Sequence, residues 1–142
     1  MGLAVLIVLD FYPTHLSVTA PSCSPGFSII ATDPDQDFGI LNLPRGYLAG
    51  NASMMQQACH GRPIVGGNIS REVTQSLLNR LETVELRTQR EQLVANRVKY
   101  IAINLPKEGL FEWQTDDGSL QDYLGFYPIL YEDSDIVILQ VY

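Results

Sequence analysis

The chain has 142 residues, of which 46% are hydrophobic and 18% charged, and this balance excludes a disordered chain and describes a folded globular protein. The formal net charge is −7, and the lysines are only Lys99 and Lys107. Because phosphate contacts need clustered cations, we expect no nucleic-acid partner.

An unbroken apolar run, Leu3 to Leu9, lies near the start of the sequence. Two interpretations of residues 1–11 are open: a first β-strand, or the remnant of a membrane helix, since the run is far shorter than the roughly 20 residues that span a bilayer as a helix. Composition favours the strand. Residues 12–26 carry three prolines among serines and threonines, which predicts an extended linker.

Strand and helix patterns alternate along the rest of the chain. The predicted helices cover residues 27–32, 52–59, 71–84, 88–97 and 120–124. The predicted strands cover residues 38–43, 98–103, 128–131 and 136–142. A glycine-bearing loop over residues 45–50 precedes the second helix, and we expect a single domain over residues 1–142.

Local signals support several of these elements. Ser70 and Ser119 are suitable N-caps, and Thr88-Gln-Arg-Glu91 matches a capping box. Residues 98–103 are apolar on both faces apart from Lys99, which predicts a central strand covered on both sides. The last two strands flank an acidic turn and predict a hairpin. The fold class is therefore α/β: a single-domain sandwich with a mixed β-sheet, covering helices and a C-terminal β-hairpin.

The stretch from His60 to Arg71, HGRPIVGGNISR, has the composition of a binding loop. Glycine is favoured where the backbone turns sharply or approaches another group closely. Arginine offers a planar fork of donors, and an unperturbed histidine titrates near neutral pH. Trp113, in a loop over residues 106–118, has a ring that stacks well on sugars. The candidate ligand-binding residues are His60, Arg62, Gly66, Gly67, Asn68, Arg71 and Trp113.

Each candidate also has a structural interpretation. His60 would then bond a backbone carbonyl at a helix end, and Trp113 would cover the core. Arg62 and Arg71 would hold carbonyls or carboxylates of their own loop. Arg62 discriminates between the two interpretations, because a ligand-binding guanidinium is exposed and a structural one is occupied by the protein.

Cys23 and Cys59 lie 36 positions apart. They either pair in an oxidising compartment or remain two thiols, and spacing alone does not decide. A domain of this size buries a sufficient core without a crosslink, so we expect the fold not to depend on one. Neither cysteine has metal-ligand spacing with His15 or His60, and we predict no metal and no cofactor.

The segment from Gln56 to Arg71, QQACHGRPIVGGNISR, resembles the motif Q-T-x-H-G-K-P-I-V-G-G-Y-x-S-R. That motif belongs to the C-terminal soluble domain of bacterial multi-spanning membrane proteins that look like dolichyl-phosphate-mannose-type glycosyltransferases. Segments 38–44, 97–103 and 131–141 are similar to further segments of that domain, in the same order. Asn68 departs from the motif, which has an aromatic residue there.

The resemblance implies a non-catalytic accessory domain that binds glycan or lipid-linked sugar, or positions an acceptor, for a membrane glycosyltransferase. It implies an extracytoplasmic location on a bacterial membrane, with attachment through an N-terminal region outside this sequence. In the family the catalytic acid lies in the membrane part, so no transferase chemistry is expected from these residues.

Two other functions compete with this one. The alternative is a free-standing small soluble α/β protein that acts through protein–protein contact or as a homodimer, cytoplasmic if Met1 is a native start. A hydrolase or isomerase that uses His60 is less favoured, because the sequence contains no recognised nucleophile or metal constellation. We therefore expect a protein that is not an enzyme.

Overall fold

The computed structural model describes residues 22–45, 47–66, 76–105 and 119–142. The helices are α1 Gly26–Ala31, α2 Tyr47–His60, α3 Leu77–Arg80, α4 Leu86–Ala95 and α5 Leu120–Phe126. The strands are β1 Gly39–Leu43, β2 Ile64–Val65, β3 Val98–Asn104, β4 Ile129–Glu132 and β5 Ile136–Gln140.

The described strands form one mixed sheet in the order β2-β1-β3-β5-β4. β1 is parallel to both β2 and β3, and the register places Ile40 beside Tyr100 and Leu43 beside Ile103. β5 runs antiparallel between β3 and β4. The predicted α/β class, the mixed sheet, the central position of β3 and the C-terminal hairpin are confirmed.

Alternate residues of the central strands face two separate cores, as the two-residue period of a strand requires. On one side, Leu41 and Ile101 pack with Leu93 of α4 and Tyr123 of α5, and we call this the α4 face. On the other side lie residues that pack against α1 and α2, and we call this the α1 face. Its buried members are Phe27, Ile30, Phe38, Ile40, Tyr100, Ala102, Ile136 and Ile138. Helices therefore cover both faces of the sheet, as the sequence predicted.

One polar side chain on the α4 face is buried completely. Gln89 of α4 donates from Nε2 to the hydroxyl of Tyr123 at 2.7 Å and to the carbonyl of Glu82 at 2.8 Å. The hydroxyl of Tyr127 donates to Gln89 Oε1 at 3.1 Å. Both the nitrogen and the oxygen of the Gln89 side-chain amide therefore have hydrogen-bond partners, as buried polar groups usually do.

Several predicted boundaries are wrong. α2 begins at Tyr47, inside the predicted loop over residues 45–50. The helix predicted over residues 71–84 is, in its described part, the short α3, which Ser76 caps. It ends at Arg80, after which the carboxylate of Glu82 accepts the N–H groups of residues 83 and 84 and holds a turn.

The capping-box prediction at Thr88 is also wrong. α4 begins two residues earlier, because the carboxylate of Glu85 accepts the N–H groups of Arg87 and Thr88 and supplies the cap. Ser119 caps α5 as predicted. β2 was not predicted; it is a two-residue edge strand within the glycine stretch.

Some predictions fall outside the described residues. These are the first strand or membrane-helix remnant over residues 1–11, most of the linker over residues 12–26, and the loop over residues 106–118. Across the ranges that the structure covers, no helix is long and apolar enough to cross a membrane.

Candidate functional site

A disulfide joins the segment before α1 to the last turn of α2. Cys23 and Cys59 are bonded, with their Cα atoms 5.7 Å apart. Of the two alternatives that the sequence left open, the structure therefore has the paired one. The bond fixes α2 against α1 one residue before His60, where the glycine stretch begins.

Arg62 lies two residues after His60 in the glycine stretch and is buried. Its Nη2 donates to the carbonyl oxygens of Ala31 and Asp33, both at 3.2 Å, and its Nη1 donates to Gln36 Oε1. The guanidinium carbon lies 5.1 Å from the centre of the Phe38 ring. This is the arrangement of the structural interpretation, in which Arg62 holds carbonyls of the neighbouring turn.

His60 is buried beside Arg62, with 3% of its surface exposed. Its Nδ1 accepts the backbone N–H of Arg62 at 3.1 Å, and its ring lies 5.4 Å from that of Phe27. Burial, together with the charge of Arg62, lowers the pKa of His60 to about 4. The imidazole is thus neutral at pH 7, with its proton on Nε2, and Nε2 has no hydrogen-bond partner within the described segments.

The glycines of the stretch have different surroundings. Gly61 and Gly66 have positive φ, +68° and +93°. A Cβ at Gly66 would lie 2.9 Å from Leu78 Cδ2, whereas one at Gly61 would meet nothing within 4 Å. Both positions favour glycine for the backbone, and a Cβ at Gly66 would also require the Leu78 side chain to move.

Four of the seven predicted site residues lie outside the described residues: Gly67, Asn68, Arg71 and Trp113. The structure brings His60 and Arg62 into contact. Ligand binding by the predicted set remains a prediction.

A buried ionic cluster lies at the amino ends of β1 and β3. Lys99 Nζ is 2.7 Å from Asp33 Oδ2, and the hydroxyl of Tyr100 donates to the same oxygen. Desolvation raises the pKa of Asp33, but the hydrogen bonds from Lys99 and Tyr100 outweigh it and hold the pKa below its usual value. The sequence signal for this cluster was the single cation in an otherwise apolar strand.

A second polar group, which sequence reasoning missed, lies on the α1 face at the carboxyl ends of the same strands. Asn42 of β1 and Asn104 of β3 are 6% and 5% exposed. Asn104 Nδ2 donates to the carbonyl of Leu43 at 3.2 Å, and Gln56 of α2 donates to Asn104 Oδ1. Among the described residues, both amide atoms of Asn42 and the Oε1 atom of Gln56 lack partners. We call these three residues the amide cluster.

The described residues contain no group of three or more histidine, cysteine or acidic side chains placed to hold a metal ion. No protein-family model matches the chain, and no curated protein or solved structure matches it.

Proposed function

We propose that this chain is a non-catalytic accessory domain on the extracytoplasmic face of a bacterial membrane, where it binds glycan or positions an acceptor for a membrane glycosyltransferase. The observation that carries the proposal is the Cys23–Cys59 disulfide. Disulfides persist in oxidising compartments and are rare in the cytosol. A paired cysteine therefore agrees with the location that the resemblance implies.

The surroundings of His60 support binding over catalysis. A general base works best with a pKa near the working pH, and the pKa of this imidazole is about 4. Arg62 and the disulfide hold the beginning of the glycine stretch against α1 from two sides. A rigid support of this kind suits a binding surface, because little conformational entropy is then lost when a ligand binds.

The first test is the state of the two cysteines in the bacterium that makes the protein. Intact cells are treated with a maleimide that adds a visible mass to free thiols, and the protein is examined with and without prior reduction. We expect modification of Cys23 and Cys59 only after reduction. Labelling of both thiols without reduction would overturn the proposed location.

The second test is binding. The purified, oxidised protein is titrated with a panel of monosaccharides, oligosaccharides and polyprenyl-phosphate sugars, and the heat of binding is measured. Binding of at least one sugar is expected. A panel in which nothing binds, for a protein shown to be folded and oxidised, would overturn glycan binding.

One observation favours the alternative, a homodimer. β4 is an edge strand in the described sheet, and Ile129 and Leu130 are 46% and 39% exposed on it. Exposed apolar edges pair readily with a second copy. On this alternative the protein is a dimer in sedimentation equilibrium and Leu130→Lys makes it a monomer, whereas Val84→Lys, at a position exposed elsewhere, has no effect. A monomeric parent protein excludes this dimer.

A further inference from the structure

At the carboxyl ends of the parallel strands β1 and β3 the chain leaves in opposite directions. From β1 it continues into α2 and then β2, on one side of β1, whereas after β3 the next described element is α5, followed by β4 and β5 on the other side of β3. α2 packs on the α1 face through Cys59, and α5 packs on the α4 face through Tyr123. In open α/β sheets, neighbouring parallel strands whose connections leave to opposite faces leave a crevice at their carboxyl ends, and ligands bind there.

The amide cluster lies at this point. β1 ends at Leu43 and β3 at Asn104, so Asn42 and Asn104 are in the last two positions of their strands. Gln56 of α2 donates to Asn104 Oδ1. Asn42 and Asn104 are therefore buried polar residues at the point that the strand order marks.

The hydrogen-bonding state of Asn42 points to a missing partner. Its side chain is on a buried strand between Leu41 and Leu43, and both its amide atoms lack a partner in the described structure. A buried amide without partners is destabilising, and an apolar residue of similar volume would avoid that cost. Gln56 Oε1 adds an acceptor in the same condition.

The free groups define the chemistry of the occupant. Asn42 offers donors and an acceptor, Gln56 offers an acceptor, and neither is charged. A phosphate or carboxylate lacks the donor that the two acceptors need. A sugar hydroxyl both donates and accepts. The low exposure of Asn42 limits the inserted group to a small one, such as a hydroxyl or hydroxymethyl substituent of the ring.

We propose that Asn42, Gln56 and Asn104 form a sugar-binding site at the carboxyl ends of β1 and β3, with Asn42 and Gln56 bonding the sugar hydroxyls and Asn104 positioning Gln56. The choice of a sugar rests on the proposed function, whereas the place of the site rests on the geometry of the strands. The site is separate from the His60–Arg62 pair, since Arg62 bonds the turn after α1 at Ala31 and Asp33, beside the amino end of β3.

The test uses Asn42→Leu in the oxidised protein, with Gln121→Leu as the control, since Gln121 is an exposed amide on α5. Mannose, glucose and N-acetylglucosamine are titrated while the side-chain amide resonances of Asn42 and Gln56 are followed by NMR. We expect these resonances to shift in the parent protein, and Asn42→Leu to weaken binding about tenfold or more without lowering the melting temperature. The control should bind as the parent does.

Three outcomes would overturn the proposal. If parent and Asn42→Leu bind sugar equally, the site lies elsewhere, although glycan binding stands. If sugar shifts no amide of the cluster and these amides exchange magnetisation with a bound water, the partner is an internal water only. If no sugar binds at all, this site fails, while the thiol-labelling test still decides the location in the proposed function.

Discussion

Arg62 donates to the carbonyl oxygen of Asp33 at 3.2 Å, while the carboxylate of the same Asp33 accepts Lys99 at 2.7 Å. The turn after α1 is therefore held at its backbone by a residue of the glycine stretch and at its side chain by the central strand. The beginning of the motif that carries the family resemblance is part of the framework on the α1 face.

Arg62→Ala should lower the free energy of unfolding by about 1–3 kcal/mol, because the carbonyl of Ala31 loses the Arg62 donor and the buried carbonyl of Asp33 keeps only Gln36. Urea denaturation measures the loss. Arg80→Ala, at an exposed arginine, is the matched control and should change stability by about 0.5 kcal/mol or less. An Arg62→Ala protein with unchanged stability and lost glycan binding would instead support a ligand contact.

Stability should fall as the pH decreases from about 6.5 to about 4, because of His60. The pKa of His60 is lowered to about 4 in the native state, from 6.5. Between these values the unfolded chain binds a proton that the native state does not, so protonation favours unfolding, by about 3 kcal/mol at most.

The measurement compares the parent with His60→Asn, whose side-chain oxygen can still accept the Arg62 N–H. Carboxylates titrate alike in both proteins, so the difference in unfolding free energy isolates His60. As the pH decreases, the parent should lose more unfolding free energy than the variant does. A difference that is constant with pH would show that the native imidazole is not shielded from protons.

The Cys23→Ser, Cys59→Ser double variant should be less stable than the oxidised parent by about 2–4 kcal/mol, since the crosslink restricts the unfolded chain. The expectation from sequence, that the fold does not depend on the bridge, stays a prediction and requires that the variant still fold cooperatively. Denaturation midpoints with and without a reducing agent test both statements. Reduction should bring the parent to the value of the variant, and equal oxidised midpoints would show that the bridge adds no stability.

Gly66→Ala should destabilise the protein more than Gly61→Ala. Both substitutions place a Cβ at positive φ, which costs about 1–2 kcal/mol. Only at Gly66 does the new Cβ also meet Leu78. Urea denaturation of both variants, and of Gly66→Ala with Leu78→Ala, separates the two costs. If the added Leu78→Ala recovers none of the difference, the contact does not explain it.

Ile101→Asp should prevent folding, because Ile101 is fully buried in the central strand and an unpaired buried charge is costly. Circular dichroism and gel filtration detect the loss of structure. Val84→Asp introduces the same residue at a position that is 87% exposed and should fold normally. A cooperatively melting Ile101→Asp protein would contradict the position of β3.

The sequence predicted the parts of the fold that depend on local pattern. Val98 to Ile103 is an apolar run apart from Lys99, and the final hairpin has two apolar runs around an acidic turn, so these strands and their roles were recognisable. β2 was missed because two residues carry no periodicity. The start of α4 was missed because a single carboxylate, Glu85, supplies its cap.

The candidate site depended less on local pattern. The sequence singled out His60 and Arg62 as residues with a special role, but whether a buried guanidinium serves a ligand or its own fold is decided by distant residues such as Ala31. Asn42 is the second-last residue of β1 and Asn104 the last residue of β3, and that they lie at the same end of the sheet follows only from the parallel pairing in the order β2-β1-β3. That order is set by tertiary pairing, which one sequence does not contain.

The disulfide has a consequence for the covalent form of the molecule. Cys23 and Cys59 enclose α1, β1 and most of α2 in a closed ring of chain. A protease that cuts one peptide bond inside this ring, for example in the exposed turn at Asp37, opens the ring but leaves both pieces attached. Such a nicked molecule keeps its full mass under oxidising conditions and separates into two fragments only after reduction.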